Sequence, residues 1–401
     1  MNTFSKCTLD AKFQRIFRRN TAGNTNVLTI SAQHGLINQF EYYNNQYASE
    51  DTSGYTLLRK GEFAYNKSYS EGYPLGATKK LEHYESGIVS PLYICFAAKA
   101  GVCVDFYSYY FESEPFYREI YKIAQEGARN HGLLNVSAED FFKIKIADPP
   151  LAEQRRIAEI LDCCDRGIAL KKKLIAEKKR QKKALMQKLL NPDSGFRLPE
   201  FSGEWRKTTI GEIGTFAKGK GIQNSQCQKS GLPCVKYGDI YMKYNVSFDA
   251  AESFTTDDVF NNSLQVTSGA LLFTCSGEDS REIGKCTLYT GKEPIAVGGD
   301  IIVMYPHEST SPVFLAYQQY SDDLIRQKNA FGKGNSIVHI HLPEISSLKI
   351  SLPPTRHEQQ SIADILSASD KEIDLLEQEL VQQEQKKKSL MQMLLTGIVR
   401  V

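Results

Sequence analysis

The stretch PPLAEQRRIAEIL (149–161) occurs a second time, in altered form, as PPTRHEQQSIADIL (353–366). When Glu153 is placed on Glu358, the two segments align without gaps as far as Leu190 and Leu395, at a constant offset of 205 residues. Their ends, KKALMQKLL (182–190) and KKSLMQMLL (387–395), also match. Because the offset is about half of the 401 residues, the chain is predicted to be built from two copies of one unit.

Both copies carry the pattern of a long helix that packs in a coiled coil. Each follows a Pro-Pro pair, which is tolerated at the start of a helix. Apolar residues then recur at alternating spacings of three and four, and about 38 residues would form a rod roughly 55 Å long. The predicted seam positions are Ile157, Leu161, Cys164, Ile168, Ile175, Leu185 and Leu189 in the first copy, and Ile362, Leu366, Ser369, Ile373, Leu376, Leu380, Gln383, Lys387, Leu390 and Leu394 in the second.

The two predicted helices carry opposite charge. Residues 171–190 contain nine basic side chains and one acidic one, whereas residues 370–385 contain six acidic side chains and one basic one. Opposite charges on heptad helices favour pairing between them. Because a folded segment separates the two, we expect them to pack antiparallel. The alternative is two solvated amphipathic helices on separate domains.

Composition is that of a soluble globular protein, with 41% hydrophobic and 24% charged residues, and the length suffices for two cores. No apolar run could cross a membrane, and MNTFSKCTLDAKF (1–13) lacks the apolar region of a secretory signal. The nine cysteines include no Cys-x-x-Cys pair, which indicates reduced thiols in the cytoplasm. The net charge of +2 means that nucleic-acid binding would have to come from local patches.

The segments between the helices also correspond to each other. GEFAYNKSY (61–69) matches GALLFTCSG (269–277), and the strand-like KIKIAD (143–148) and LKISL (348–352) each precede a Pro-Pro pair. Alternating apolar residues with Gly-rich turns predict β-rich or α+β globules. The segment 191–205, rich in Pro, Gly and Ser, is interpreted as the linker into the second globule.

Taken together, PPLxEQxxIAxIL, the Lys-rich helix that ends in KxxLMQxLL, and LPEFSGEWxxxxIGEI (198–213) resemble the specificity subunits of type I restriction–modification systems. The resemblance implies an α+β protein with a pseudo-twofold internal repeat, in which two long antiparallel coiled-coil helices join two target recognition domains with β-rich cores. The predicted divisions are recognition domains 1–148 and 207–352, helical regions 149–190 and 353–395, a linker 191–206 and a tail 396–401.

The same resemblance implies a non-catalytic, cytoplasmic subunit that binds double-stranded DNA and no membrane. Each recognition domain would read half of a bipartite target, and two methyltransferase subunits would bind and methylate a flipped adenine in each half. Whether a restriction and translocation subunit joins them is left open. S-adenosylmethionine, ATP and Mg²⁺ would belong to these partners, and no cofactor or metal is expected in this chain. The alternatives are a self-sufficient DNA methyltransferase or nuclease, and a coiled-coil scaffold that does not bind DNA.

The first half departs from the family pattern. It begins with MNTFSKCTLDAKF and lacks the Pro-Glu-Phe…Trp segment that opens the second half at 199–205. The C-terminal LLTGIVRV (394–401) would supply part of this junction if the chain were read as a circle. We therefore expect the opening strand of the first domain to be short, or to be completed by the C-terminal end.

Fragments that resemble catalytic motifs are given a structural interpretation. Asp148-Pro149-Pro150-Leu151 resembles the Asp-Pro-Pro-aromatic loop of amino-methyltransferases, but the residue that would stack on a flipped base is a leucine. No phosphate-binding P-loop is present in the sequence. His339 and His341 lack acidic or cysteine partners at a recognisable spacing, so we expect a structural or DNA-contacting role rather than metal binding.

Candidate DNA contacts are basic, amide and aromatic residues that cluster in turns. Lysine and arginine bind phosphates, glycine lets the backbone approach them, and Asn or Gln amides pair with base edges. In the first half they are Arg15, Arg18, Arg19, Asn20, Asn66, Lys67, Tyr69, Lys79, Lys80, Arg129, Asn130 and His131. In the second half they are Lys218, Lys220, Gln223, Asn224, Lys236, Tyr237, Lys243, Tyr244, Arg281, Lys285, Lys333, Asn335 and Ser336.

Overall fold

The computed structural model describes residues 4–31, 34–44, 51–68, 72–126, 134–277, 282–331 and 338–401. The chain divides into two compact units. Unit 1 comprises Met1–Lys172 and Gln378–Val401, and unit 2 comprises Lys173–Glu377. Each of two long helices begins in one unit and ends in the other. No described helix is both long and apolar enough to cross a membrane.

Unit 1 is an α+β globule whose strands form one four-stranded sheet and several two-stranded ones. Its strands are β1 (Lys6–Thr8), β2 (Phe13–Arg15), β3 (Leu28–Ser31), β4 (Gly35–Asn38), β5 (Thr56–Arg59), β6 (Phe63–Asn66), β7 (Ala77–Lys80), β8 (Ser86–Val89), β9 (Ile94–Ala98), β10 (Gln125–Glu126), β11 (Leu134–Asn135) and β12 (Lys145–Ala147). Its helices are α1 (Leu9–Lys12), α2 (Gln39–Tyr43), α3 (Val104–Tyr110), α4 (Glu114–Ile123) and α5 (Ala138–Lys143), followed by the long α6 (Leu151–Leu189).

The described strands of unit 2 form two five-stranded sheets and two two-stranded ribbons, β13-β26 and β21-β25. Its strands are β13 (Arg206–Thr209), β14 (Gly214–Lys218), β15 (Cys227–Gln228), β16 (Leu232–Val235), β17 (Ser247–Phe248), β18 (Ser253–Thr255), β19 (Leu264–Val266), β20 (Leu271–Thr274), β21 (Ser276–Gly277), β22 (Cys286–Tyr289), β23 (Ile295–Val297), β24 (Ile301–Pro306), β25 (Val338–His339) and β26 (Lys349–Leu352). Its helices are α7 (Tyr237–Met242), α8 (Asp257–Asn262), α9 (Pro312–Gln318), α10 (Asp322–Phe331) and α11 (Leu342–Ser347), followed by the long α12 (Arg356–Thr396). Short 3₁₀ turns occur at Pro192–Ser194, Ile210–Glu212 and Asn224–Gln226.

The main sheets of the two units have the same strand order, as the sequence match predicts. The order is β2-β9-β6-β7 in unit 1 and β14-β24-β20-β22 in unit 2, where β17 adds a fifth strand. Strands β6 and β20 carry the matched segments GEFAYNKSY and GALLFTCSG, and each is preceded by a glycine at positive φ, Gly61 or Gly269. The predicted α+β fold with an internal repeat is therefore confirmed.

An antiparallel ribbon closes each unit next to the start of its long helix. In unit 2, β13 pairs with β26 over four residues, whereas in unit 1 β1 pairs with β12 over three. The opening strand of the first half is short, as expected. Phe4 lies against Gly397, so the C-terminal end also packs on this opening segment.

The long helices pack as an antiparallel pair, as their charges predict. In unit 1, ion pairs join Lys171 to Glu379, Lys172 to Glu384 and Asp165 to Lys387; in unit 2 they join Lys178 to Glu372, Lys179 to Glu377 and Lys182 to Asp370. Of the predicted seam, Ile157, Leu161, Ile168, Ile175, Leu189, Ile362, Leu366, Ile373 and Leu394 are buried, and Leu185, Leu380 and Leu390 are partly buried. The ends of both helices complete hydrophobic cores: Leu394 and Leu395 in unit 1, Leu189 and Leu190 in unit 2.

The Glu-Gln pair of the repeated phrase anchors the start of each helix. In unit 2 the side chain of Glu358 is 1% exposed and accepts two hydrogen bonds from Arg197, at 2.9 and 2.8 Å. The Gln359 amide nitrogen donates to the Pro353 carbonyl at 3.1 Å, and its amide oxygen accepts from the Ser311 backbone N–H at 2.8 Å. Arg197 lies in the predicted linker, so part of that segment has a fixed structural contact.

Unit 1 repeats this anchor with a partner from the C-terminal tail. Arg400 donates to both oxygens of Glu153 at 2.6 Å, and these hydrogen bonds lower the pKa of Glu153. Gln154 donates to the Pro149 carbonyl at 2.8 Å and accepts from the Cys103 backbone N–H at 3.0 Å. The tail that follows α12 therefore does for unit 1 what the segment that follows α6 does for unit 2.

A tyrosine-aspartate-lysine cluster ties each globule to the helix pair. The Tyr109 hydroxyl donates to Asp165 at 2.8 Å, and Lys387 approaches the same carboxylate at 2.5 Å. In unit 2, the Tyr317 hydroxyl donates to Asp370 at 2.7 Å, and Lys182 pairs with that carboxylate. Burial and the hydrogen bond to the adjacent carboxylate raise the pKa of both tyrosines. The aspartates and the lysines of the two clusters are each related by the 205-residue offset of the repeat.

Loss of the Arg197 side chain should destabilise unit 2 and leave unit 1 largely unaffected. Arg197→Met leaves the buried carboxylate of Glu358 without its charged partner. Breaking a buried pair in this way lowers the free energy of unfolding by about 3 kcal/mol. The single tryptophan, Trp205, packs on Phe314 in unit 2, so its fluorescence reports unfolding of that unit. We expect its denaturation midpoint to fall in Arg197→Met and to recover substantially in Arg197→Met/Glu358→Met, where no charge is stranded.

Arg400→Met is the matched control, because it breaks the equivalent pair in unit 1. The Trp205 transition should stay at its wild-type midpoint in this variant. An equal shift in both variants, or none in Arg197→Met, would contradict the assignment of the Arg197–Glu358 pair to the stability of unit 2.

Candidate nucleic-acid interface

A basic loop follows β14 at the edge of the main sheet in unit 2. Lys218 and Lys220 are exposed, and within the described part of the chain neither forms an ion pair. A β-carbon at Gly219 would collide with the carbonyl oxygen of Gly298, so only glycine lets this loop lie against the segment that follows β23. The close approach holds two uncompensated ammonium groups on a fixed loop.

The amide residues that follow extend this surface. Gln223 and Asn224 are exposed, and the Lys236 ammonium donates to the Asn224 amide oxygen at 2.8 Å. This bond joins the basic loop to the N-terminus of α7, whose first residue, Tyr237, is exposed. The structure thus brings together the predicted residues Lys218, Lys220, Gln223, Asn224, Lys236 and Tyr237 through this loop and helix, and we call these six residues the unit 2 surface.

Three further candidates in unit 2 are held by structural contacts. The Lys243 ammonium contacts Asp239 and Ser253, both at 2.9 Å. Lys285 donates to the Tyr241 carbonyl at 3.1 Å, and burial lowers its pKa. Tyr244 is 4% exposed and stacks on Phe248 in a hydrophobic core, with ring centroids 4.0 Å apart. A direct DNA contact by Tyr244 is therefore a wrong prediction, because its ring fills the core behind the surface.

Unit 1 carries a basic segment after the equivalent strand, β2. Arg15 and Arg19 are exposed and have no ion pair in the described residues, and the Arg15 guanidinium stacks 4.7 Å from the centre of the Phe17 ring. Arg18 instead pairs with Glu62 through two contacts of 3.1 Å. Asn20 is buried and donates to the Asn24 carbonyl at 2.9 Å. The free cations, Arg15 and Arg19, together with Phe17 make up what we call the unit 1 surface.

The remaining described candidates of unit 1 each contact another group of the protein. Lys79 pairs with Glu112, and Lys80 contacts Asp105 at 2.6 Å and Glu82 at 2.8 Å. Asn66 is half-buried and accepts from the Ser68 backbone N–H. Lys67 donates to the Val136 carbonyl at 3.4 Å. These four residues have protein partners, so their contact with DNA stays a prediction.

Eight candidates lie outside the described residues, and for them the prediction stands as made from the sequence. They are Tyr69, Arg129, Asn130, His131, Arg281, Lys333, Asn335 and Ser336.

Exposed apolar side chains beside these surfaces were not singled out from the sequence. Phe17 is 73% exposed and Met242, at the end of α7, is 85% exposed. Their neighbours Arg15 and Tyr237 were identified from the sequence. A phenylalanine or a methionine does not by itself indicate a surface position. No sequence pattern separates Met242 from the buried residues Asp239 and Ile240 of the same short helix, α7.

In the described part of the chain, His, Cys, Asp and Glu side chains form no group of three or more that could hold a metal ion. The His339 and His341 rings lie parallel, with centroids 6.3 Å apart, and the His339 Nδ1 lies 3.0 Å from the Ser276 hydroxyl. This contact gives His339 a structural role at the β21-β25 pair.

Comparison with known proteins agrees with this architecture. The sequence model of the family described as the type I restriction modification DNA specificity domain matches residues 20–180 and 202–385. A type I restriction enzyme specificity subunit, MjaVIII, of Methanocaldococcus jannaschii is 26% identical over 337 residues, which cover 79% of this chain and 75% of that protein.

Solved structures show the same fold over the whole chain. A chain from a structure described as the basis of complex assembly and conformational transition of the type I R-M system superposes with a TM-score of 0.60 at 16% identity, over 100% of this chain and 99% of that one. The S subunit of a type I restriction-modification system from M. genitalium superposes with a TM-score of 0.58 at 15% identity, over 98% and 96% of the two chains.

Removing the two free lysines of the unit 2 surface should weaken DNA binding in a salt-dependent way. Each phosphate contact contributes about 0.9 to the slope of log K against log salt concentration. Lys218→Gln/Lys220→Gln should therefore reduce that slope by about 2, measured by fluorescence anisotropy on duplex DNA with the complete protein complex. Lys207→Gln/Lys349→Gln removes the same charge from the β13-β26 ribbon and should leave the slope unchanged. Equal losses from both pairs would assign the effect to overall charge.

Proposed function

The chain belongs to the family of type I restriction–modification DNA specificity proteins and is a DNA-recognition subunit, and from this premise we propose that it reads a bipartite target. Each unit recognises one half of the target with its own surface. Cations contact phosphates and set the position, while amide and apolar side chains contact base edges and set the sequence. The observation that carries the proposal is that, among the described residues, cations without an ion-pair partner recur in both units at and just beyond the end of the same sheet strand, β2 or β14.

The long helices determine the number of base pairs between the half-sites. Each helix contributes its start to one unit and its end to the other. The anchors at Glu153 and Glu358 fix each helix start within its globule. A change in helix length therefore changes the separation of the half-sites, by the same geometry that relates dimer spacing to operator spacing.

Two copies of one methyltransferase subunit bind to repeated apolar positions on the helix pair. Leu170 on α6 and Leu375 on α12 are related by the 205-residue offset and are both exposed, at 66% and 60%. Ile160 and Ile365 are related in the same way, and both retain exposed surface. Exposed leucines at helical positions that match in the two copies suit the docking of identical partners.

The chemistry resides in those partners. They supply S-adenosylmethionine for adenine methylation, and a restriction subunit, where one joins, supplies ATP and Mg²⁺ chemistry. This chain contributes DNA recognition without catalysis. The cytoplasmic location stays a prediction.

Adding one heptad to each long helix should lengthen the spacer without changing the half-site sequences. Seven residues add about 10 Å of helix, equivalent to about three base pairs. The insertions go after Ala176 in α6 and after Glu377 in α12, so that both seams keep their register. Methylome sequencing of a host that expresses the variant with its methyltransferase reads out the new target.

Replacing seven residues of each helix with the inserted sequence, at constant length, is the control and should preserve the spacer. An unchanged spacer in the insertion variant, with the half-sites intact, would contradict the role of the helices. Methylation or cleavage by the chain alone would favour a self-sufficient enzyme. A complex that binds DNA without sequence preference would favour a scaffold.

Charges placed on the exposed leucines should remove methyltransferase subunits one at a time. Leu170→Glu and Leu375→Glu each introduce a carboxylate into one of the two repeated positions. Native mass spectrometry should show two methyltransferase copies on the wild type, one on each single variant and none on the double variant. Leu92→Glu, at a 59% exposed leucine away from the helices, is the control and should keep both copies. Loss of both copies in a single variant would contradict two separate docking positions.

A further inference from the structure

Each unit has a short helix in its globule that exposes two large apolar or aromatic side chains. Helix α2 in unit 1 exposes Phe40 and Tyr42, and α7 in unit 2 exposes Tyr237 and Met242. Both helices immediately follow a strand outside the main sheet, β4 or β16. The same kind of side chain is thus presented from a similar place in both repeats.

A surface helix usually buries its apolar side chains and exposes its polar ones. The two short helices depart from this arrangement, because α2 buries no side chain and α7 buries Asp239 beside Ile240. On α2, the exposed side chain of Glu41 accepts a hydrogen bond from the Tyr84 hydroxyl at 2.9 Å. On α7, Asp239 is buried and accepts from the Ser253 hydroxyl at 2.9 Å. Polar anchors hold each helix while its aromatic or thioether side chains stay in solvent. Such exposure is costly in water and indicates a binding surface.

In unit 1, asparagine side chains connect α2 to the basic segment. Asn20, next to Arg19, accepts from the Asn24 backbone N–H at 2.7 Å, and the Asn24 side chain accepts from the Asn26 backbone N–H at 2.8 Å. Asn38 donates to the Asn26 amide oxygen at 2.8 Å and caps α2 by accepting from the Phe40 backbone N–H at 2.9 Å. The helix and the free cations are thereby parts of one hydrogen-bonded surface.

In unit 2, one bond makes the equivalent connection. Lys236 caps α7, and its ammonium donates to Asn224 in the segment that follows the basic loop. In both units, therefore, the residue that caps the short helix bonds to an asparagine side chain in the segment after the first strand of the main sheet.

We propose that α2 and α7 are the base-reading elements of their units, each laying its exposed apolar side chains against base edges or base faces of one half-site. This inference rests on the proposed function. A duplex is the occupant that the surface fits, because the same segments carry cations that have no acidic partner among the described residues, Arg15 and Arg19 or Lys218 and Lys220. Those cations hold phosphates, while aromatic rings and the methionine thioether contact thymine methyl groups or unstacked bases.

The test compares the methylation targets of two paired variants. Phe40→Ala/Tyr42→Ala alters only α2, and Tyr237→Ala/Met242→Ala alters only α7. Since all four side chains are exposed, their loss should leave folding intact, which circular dichroism and Trp205 fluorescence verify. Methylome sequencing of a host with the complete methyltransferase should show that each variant relaxes one half-site, and that the two variants relax opposite half-sites. We expect discrimination at the affected positions to fall about tenfold, as for one lost base contact.

Tyr121→Ala is the matched control, because Tyr121 is a 72% exposed aromatic residue on α4 of unit 1. Its target should be identical to that of the wild type. Unchanged half-sites in both paired variants, with a bipartite wild-type target, would overturn the base-reading role and leave the proposed function standing. Equal relaxation in Tyr121→Ala would also overturn it. A wild-type complex without a bipartite target would instead contradict the proposed function itself.

Discussion

The antiparallel pairing of two oppositely charged heptad helices is the constraint on which both units depend. The core of unit 1 is completed by Leu394 and Leu395, more than 200 residues from the start of α6, and the core of unit 2 by Leu189 and Leu190. The core of unit 1 therefore cannot form from one continuous stretch of sequence, whereas the core of unit 2 lies within Lys173–Glu377 and needs the end of α6. Six interhelical ion pairs select the antiparallel orientation, although each exposed pair contributes only roughly 0.2–1 kcal/mol. Apolar seam burial supplies the stability, and charge supplies the direction.

Buried polar contacts add a fixed register to this pairing. A carboxylate as enclosed as Glu358 is tolerated only when its partner is in place, so the Arg197 contact permits one position of the helix start. The Tyr-Asp-Lys clusters lie further along the long helices. In each, a tyrosine of the globule, Tyr109 or Tyr317, donates a hydrogen bond to an aspartate in the helix pair. Such contacts specify geometry more than they stabilise it. Rigid placement of a globule on its helix is what the proposed role of the helices in spacing two half-sites requires.

We use frame for the two cores, the paired helices and their anchors. The repeat made this frame predictable, but it could not show which charged side chains lack an ion-pair partner. The match of Glu153 with Glu358 and of Asp165 with Asp370 was visible in the sequence, and all four residues prove to be structural. Lys79 and Lys218 look equally suitable for DNA from the sequence, yet Lys79 is paired with Glu112 and Lys218 is not paired within the described chain. Pairing depends on side chains that are distant in sequence, and Tyr244 was misjudged because core and surface aromatics share the same local context.

Residues of the frame and residues of the proposed DNA-reading surfaces differ in how much a substitution changes the stability of the protein. Residues of the frame are buried and mutually paired, so a single change strands a charge or opens a cavity. Phe17, Tyr42 and Met242 are exposed, and substitutions at such positions typically change stability by less than about 0.5 kcal/mol. The two copies can thus keep one frame while presenting Arg-Phe-Arg chemistry in one unit and Lys-Gln-Tyr-Met chemistry in the other. For the proposed bipartite target, two half-sites of different sequence are the expected consequence, because recognition can diverge wherever the fold does not depend on it.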